Sequence, residues 1–456
     1  MATVSDQALH EAFTSSQRRH ILMDTHGIHQ WEVIPGLPDT GGQNVFVNQF
    51  TETLAQLGYR VTIANRGGYP HPTTGEMRTG IDYKDENQRI VYVEDDKQEF
   101  VRKEDMFSQT PQLARYLHDT LDAENDSIDM IISHYWDGAD IGIRLNALLA
   151  VPVKHIWVPH SLGTVKKRNM PPESYAKLRI EERIAKEQEM VPQLDGVAAT
   201  SSVIRSALIN DYGADDPLFL PPCVQAGRFH PRSVDPDHAV WEFIAGFNER
   251  IDAARVRSSR LITEVSRTDK TKRKDVLIKA FARLAADHPD AMLLTTVDRN
   301  EPELADELDR LVADNDLGER VVFLGNVWEM LPWIYGATYC YCSPSVMEGF
   351  GMAVQEAAAT SVPVIGSTLI PFVCEYLLGK QVETVPYPGQ QDRPLQVGAG
   401  AIVVEADDVV GFATALERLF ADADERDAMG ARALDITIPY FTWKAMVERF
   451  FAAIGF

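Results

Sequence analysis

Two carboxylates eight positions apart, Glu348 and Glu356, bracket the string Glu348-Gly349-Phe350-Gly351-Met352-Ala353-Val354-Gln355-Glu356. A carboxylate can accept two sugar hydroxyls, and the N–H groups of glycines at a helix start can bind an anion or a hydroxyl. As a bare pair the glutamates mean little and read as solvated helix charges. The whole string is the most specific signal in the chain. Arg267 and Lys272 form an Arg-x4-Lys spacing, with Lys270, Arg273 and Lys274 beside them. Two cations in a strand-to-helix loop can neutralise a diphosphate; the alternative is a solvated charge run. Pro38-Asp39-Thr40-Gly41-Gly42-Gln43 places paired glycines before a helix, where backbone can approach a ligand closely. A plain turn is the alternative. The string is neither the G-x-G-x-x-G dinucleotide fingerprint nor a Walker loop.

Weaker signals surround these. His134-Tyr135-Trp136-Asp137 ends a strand, and His134 either meets a ligand or serves the structure. His26 and His29, three apart, are a poor metal pattern, and no D-x-D signature stands at a strand end. Asp95-Asp96 reads as part of an acidic surface run. Trp31 either stacks on a ligand or packs. Cys223, Cys340, Cys342 and Cys374 are too few and scattered for a disulfide framework or zinc site, and read as small apolar residues.

Short apolar runs alternating with helical patterns must position these groups. Strands are expected at 20–24, 59–65, 90–93, 130–133, 154–158 and 196–200, with a helix over 44–57. A break at 220–231 leads to a second series. Its strands are 261–265, 291–296, 321–324, 339–343, 362–366 and 401–404; its helices are 275–287, 301–315, 351–360 and 409–421. The segment 237–258 has a helical pattern of uncertain place, and 443–456 is an amphipathic helix. Such alternation predicts an α/β protein with two doubly wound, Rossmann-like domains. The ligand is expected at the carboxyl edges of the sheets, in a cleft between the domains. With 456 residues and a net charge of −23, a core of this size is affordable and nucleic-acid binding is disfavoured. No apolar run is long enough to cross a bilayer and 1–17 lacks a secretory pattern, so a reducing cytoplasm is the expected compartment.

The nine-residue string resembles the E-x7-E motif of family 4 retaining glycosyltransferases, which have the GT-B fold. Pro38-Asp39-Thr40-Gly41-Gly42-Gln43 is similar to the sucrose-phosphate synthase and sucrose synthase branch of that family. So is Pro159-His160-Ser161-Leu162-Gly163 with Lys166. Ser266-Arg267-Thr268-Asp269 with Lys272 and 275–281 resembles the family's donor-phosphate loop and the helix after it. The matches follow family order over about residues 20–420.

The resemblance implies a hexose transferred from a nucleoside-diphosphate sugar, UDP- or GDP-linked, to a small sugar or sugar phosphate. Arg267, Lys272, Glu348 and His160 would act at the reacting centre. Gly41, Gly42, Gly325, Asn326, Val327, Phe350, Gly351 and Glu356 would hold the donor. Gln43, His134, Ser161, Lys166 and Arg179 would face the acceptor, with Lys166 and Arg179 on an acceptor phosphate. No cofactor or metal is required, Mg2+ being stimulatory at most, and neither nucleic acid nor an integral membrane contact is implied. The implied domains are 1–225 for the acceptor, 226–440 for the nucleotide sugar, and a final helix 441–456 crossing back to the first. One departure stands out: where relatives carry a Gly-Gly loop, this chain reads Ser367-Thr368-Leu369-Ile370-Pro371-Phe372. Other readings are a family 4 enzyme making another polyol or glycerate glycoside or acting on a lipid or glycan, an epimerase or phosphorylase, and a non-catalytic sugar-nucleotide sensor.

Overall fold

The computed structural model describes residues 5–34, 37–170, 172–389 and 393–456. The chain divides into two units, Met1–Pro222 with Trp443–Phe456, and Cys223–Thr442.

In the first unit the strands are β1 (His20–Thr25), β2 (Arg60–Arg66), β3 (Gly80–Asp85), β4 (Gln88–Val93), β5 (Met130–His134), β6 (Lys154–Val158), β7 (Gly196–Ala199) and β8 (Leu218–Phe219). They form one sheet in the order β3-β4-β2-β1-β5-β6-β7-β8. Neighbours are parallel except β3 against β4. β1, β2, β4 and β5 are buried along their whole length, which is why they read as near-continuous runs. The edge strand β3, with no fully buried residue, and the two-residue β8 carry no such run, so apolar patterning does not reveal them.

The helix Trp443–Ile454 belongs to this unit and buries Trp443, Met446, Val447, Phe450 and Phe451, a single stripe at helical spacing. The stripe packs on the helix Gly42–Gln56. There Trp443 stacks on Phe50 with centroids 5.8 Å apart, and its Nε1 donates to Gln49 Oε1 at 2.7 Å.

The second unit contains β9 (Arg260–Glu264), β10 (Ala291–Thr296), β11 (Val321–Leu324), β12 (Thr338–Ser343), β13 (Val364–Ser367), β14 (Glu383–Val385), β15 (Leu395–Val397) and β16 (Ala401–Val404). Their order is β11-β10-β9-β12-β13-β16-β15-β14, parallel from β11 to β16 and antiparallel beyond. The antiparallel edge pair of three-residue strands is too short to be legible in sequence. The segment 237–258 resolves into two short helices, Val240–Ala245 and Ala253–Ser258.

Both sheets wind outward from their first strand and then restart on its other side, between β1 and β5 and between β9 and β12. At such a switch the loops leaving the carboxyl ends part to opposite faces and open a crevice.

Candidate functional site

In the second unit, the loops leaving β9 and β12 flank the switch. The first carries Arg267 and a 3-10 turn, Lys270–Lys272, capped by the Asp269 side chain accepting from Thr271 N. The second carries Glu348. The loops are tied together by the Val346 N–H donating to Thr271 O at 2.8 Å. Lys272 Nζ therefore donates to Glu348 Oε1 at 2.5 Å. Lys272 is buried, whereas the Arg267 side chain is 86% exposed, 3.6 Å from Asp269. The sequence-derived pair thus splits into a fixed cation and an extended one.

Beneath this loop lies a feature that sequence reading missed. Lys274 is buried and donates to Glu264 Oε2 at 2.5 Å and to Ser266 Oγ at 2.9 Å. Thr296 Oγ1 accepts from Ser266 N and donates to its carbonyl, pinning the loop's first residue. Lys274 is thus a support under the loop, not part of a solvated basic run.

Gly351 caps the helix Met352–Ala359 with φ at +111°. A Cβ there would lie 2.8 Å from Ile370 Cγ2. Ile370 comes from the glycine-free loop 367–372, so that loop's bulk is packed against the motif's glycine. Phe350 is buried against Phe372, Tyr376 and Phe441, and its carbonyl accepts from the Phe372 N–H at 2.9 Å. Glu356 lies inside the helix, and burial pushes its carboxyl up to about 8, against the opposing charge of Arg228. After β11, Gly325 lies against Phe247, where a Cβ would be 3.0 Å from the ring. Asn326 is exposed and Val327 buried. Trp328, next in line, is 47% exposed with the Arg228 guanidinium 4.2 Å over its ring.

In the first unit, Gly41 and Gly42 lie exposed at the start of the helix after β1. Gly41 has extended backbone, and a Cβ on it would meet nothing within 4 Å. Gln43 Nε2 donates to Thr25 Oγ1 at 3.0 Å.

His134, at the end of β5, is fully buried, its Nδ1 2.9 Å from Nε2 of His160 just after β6. His134 keeps no exposed surface, and its neighbour in the structure is His160. His160 is partly exposed and adopts φ of +54°. Burial pulls it down to about 3, with His26 adding to the shift.

Lys166 Nζ donates to the Tyr135 hydroxyl at 3.0 Å. The second cation there is Arg183, not Arg179. Arg183 is buried, donates to Tyr135 Oη and to Ser161 O, both at 2.5 Å, and pairs with Glu187 at 2.7 Å. Arg179 instead pairs with Glu182 and lies 3.5 Å from Asp105. The signal that separates them is helical spacing: Arg183 and Glu187 stand four apart on the helix Ile180–Met190, while Arg179 precedes it. Lys103, also unanticipated, pairs with Asp39 and lines a depression with Asp24, Thr25, His26, Asp137 and Arg66. Asp24 is buried, accepts from Ser133 Oγ at 3.3 Å through one oxygen, and is raised to about 8 by burial.

Other expectations change. Asp95 is not part of a surface run: its buried carboxylate forms a two-point ion pair with Arg66 at 2.7 Å. His26 faces Asp137 at 3.6 Å, whereas His29 bonds Asn44 at 3.1 Å, so the two histidines serve different partners. The Trp31 carbonyl is held by Asn48 at 2.9 Å. None of the four cysteines is in a disulfide, and three of them are buried. Among the described residues no helix is long and apolar enough to cross a membrane.

Residues 248–435 match the family model Glycosyl transferases group 1, and residues 40–225 match Glycosyltransferase Family 4. The chain is 28% identical to mannosylfructose-phosphate synthase of Agrobacterium fabrum over 97% of this chain and 92% of that one. It is 27% identical to D-inositol 3-phosphate glycosyltransferase of Corynebacterium kroppenstedtii over 91% and 84%. Among solved structures, sucrose-phosphate synthase from Thermosynechococcus elongatus superposes with a TM-score of 0.71 at 21% identity, covering 96% of this chain and 98% of that one. Anabaena HepE in complex with UDP and glucose gives 0.63 at 13% identity, covering 95% and 99%. The structural likeness shows a common GT-B-type fold.

Proposed function

The chain belongs to the group 1 and family 4 glycosyltransferases, and from that premise we propose that it moves a hexose from a UDP- or GDP-linked donor to a small sugar or sugar phosphate, with retention at the anomeric carbon. The supporting observation is the Lys272–Glu348 contact of 2.5 Å across the β9/β12 switch. A cation and a carboxylate held together there match the two ends of a diphosphate-linked sugar. On binding, Lys272 would turn to the phosphates and Glu348 to sugar hydroxyls. The similarity to mannosylfructose-phosphate synthase and to the sucrose-phosphate synthase fold makes a phosphorylated hexose the favoured acceptor.

Cleaving the anomeric C–O bond builds negative charge on the β-phosphate and positive charge on the ring. Lys272, Arg267 and the N–H groups of Phe350 and Gly351 stabilise the first without calling on a divalent ion. Such a fixed donor is worth about 3–4 kcal/mol in a site that excludes water. Glu356, whose carboxyl burial raises to about 8, would take the ribose hydroxyls. No side chain is assigned as a nucleophile: the leaving phosphate oxygen would take the acceptor proton on the same face. In this reading the second unit holds the donor. The first would hold the acceptor near Gln43, with Lys166 and Arg183 toward its phosphate, while Gly41 and Gly42 would line the donor and His160 would meet the transferred sugar. A reducing cytoplasm is the compartment this reading implies.

The test is a panel of UDP-, GDP- and ADP-sugars against sugar phosphates and free sugars, with product anomers read by NMR. An α-linked product from an α-linked donor supports the reading. Release of nucleotide without a glycoside, or a β-linked product, overturns it.

A further inference from the structure

We propose that His134 is a positioning residue that fixes His160 as its Nδ1-protonated tautomer. The proposal rests on the reading of His160 as a group that meets the transferred sugar. His134 ends β5 and His160 follows the neighbouring strand β6, and their rings meet edge to edge with centroids 5.1 Å apart and planes 30° apart. His134 Nδ1 and His160 Nε2 are 2.9 Å apart, so one ring donates its proton to the other. Burial lowers both imidazoles, His160 to about 3 and His134 well below its ordinary value, so each ring carries a single proton near neutrality.

That leaves two arrangements. If His160 donated, the proton of His134 would sit on its Nε2, a buried atom with no partner. An orphaned buried N–H is the rarer and costlier state, whereas an empty lone pair loses less. The proton of His134 is therefore on Nδ1, it points to His160 Nε2, and the proton of His160 is driven to Nδ1. The surroundings leave this pairing intact. Phe46 packs edge-on against both rings, at 5.8 Å and 4.8 Å. His29 Nδ1 is taken by Asn44, and His26 Nδ1 faces Asp137. Of the pair, His160 alone keeps exposed surface, His134 having none. With Nε2 consumed, the one ring atom it can offer a ligand is an N–H donor, suited to a sugar oxygen and unsuited to accepting a proton.

Selective 15N-histidine labelling of the full chain reads the tautomer directly, with the His160 signals assigned by their loss in H160Q. His160 is expected to be protonated at Nδ1 in the parent and to shift toward Nε2 in H134F. H134N, whose amide keeps an N–H near the same place, should retain the parent pattern. Turnover should fall about tenfold in H134F with little change in donor KM, and stay within about threefold in H134N. An Nε2-protonated His160 in the parent, or an H134F enzyme as active as the parent, overturns the proposal. Failure of the functional reading would look different: no donor would be turned over, while the tautomer, measured without substrate, would still be decided.

Discussion

Lys274 reaches Glu264 at 2.5 Å directly beneath the loop that presents Arg267 and Lys272. Both partners are buried, and Glu264 also accepts from Thr295 Oγ1 at 2.7 Å. Removing one partner leaves a charge stranded in the core. K274M should therefore cost about 3–5 kcal/mol, while the double variant K274M/E264L should recover most of the loss. Urea unfolding of the three proteins checks this; a K274M protein as stable as the parent would remove the pair from the account.

The Lys272–Glu348 contact predicts a kinetic defect instead. K272A should lower turnover by roughly 10²–10³-fold, the worth of one fixed donor to the developing phosphate charge. E348Q should weaken transfer while leaving nucleotide binding largely intact. Steady-state kinetics with the preferred donor, beside calorimetric binding of the free nucleoside diphosphate, separates the two effects. Full activity in K272A would refute the role.

Two glycines should respond in opposite ways. Gly351 combines φ of +111° with a blocked Cβ position, so G351A should cost about 1–3 kcal/mol of stability. Gly41 has extended backbone and open space, so G41A should fold with parental stability and lose activity through the ligand it obstructs. Thermal unfolding and activity on the same preparations test the contrast.

Asp24 makes stability depend on pH. Its carboxyl is raised from 3.8 to about 8 by burial, so the folded state favours the protonated form. That contribution is fully present below pH 3.8 and is lost as pH rises through 8. Across that window the slope is at most about 1.4 kcal/mol per pH unit. D24N should match the parent near pH 4 and exceed it at pH 8. Unfolding curves at several pH values check the sign, and parallel curves for the two proteins would refute it.

An acceptor phosphate would be felt at Lys166 more than at Arg179. K166M should raise the KM for a phosphorylated acceptor by roughly 10–100-fold, the range of a charge-assisted hydrogen bond, and leave an unphosphorylated one nearly unaffected. Arg179 is already satisfied by Glu182, and R179A should change little. Equal KM shifts for both acceptor forms would argue against a phosphate at Lys166.

By itself the sequence determined the two doubly wound units and the loops proposed to carry the chemistry. Buried parallel strands and amphipathic helices are specified by local hydrophobic period, and glycines at helix starts by backbone geometry. That is why β1, β9, Gly351 and the Arg267–Lys272 loop are legible without coordinates. Local pattern cannot tell which of several nearby charges turns inward. Only tertiary structure decided that Lys274 supports while Lys272 presents, that Arg183 rather than Arg179 joins Lys166, that Asp95 is buried on Arg66, and that His134 serves His160. Each of those choices is made by residues distant along the chain, because the stability of a buried charge or proton depends on the partner that folding brings to it.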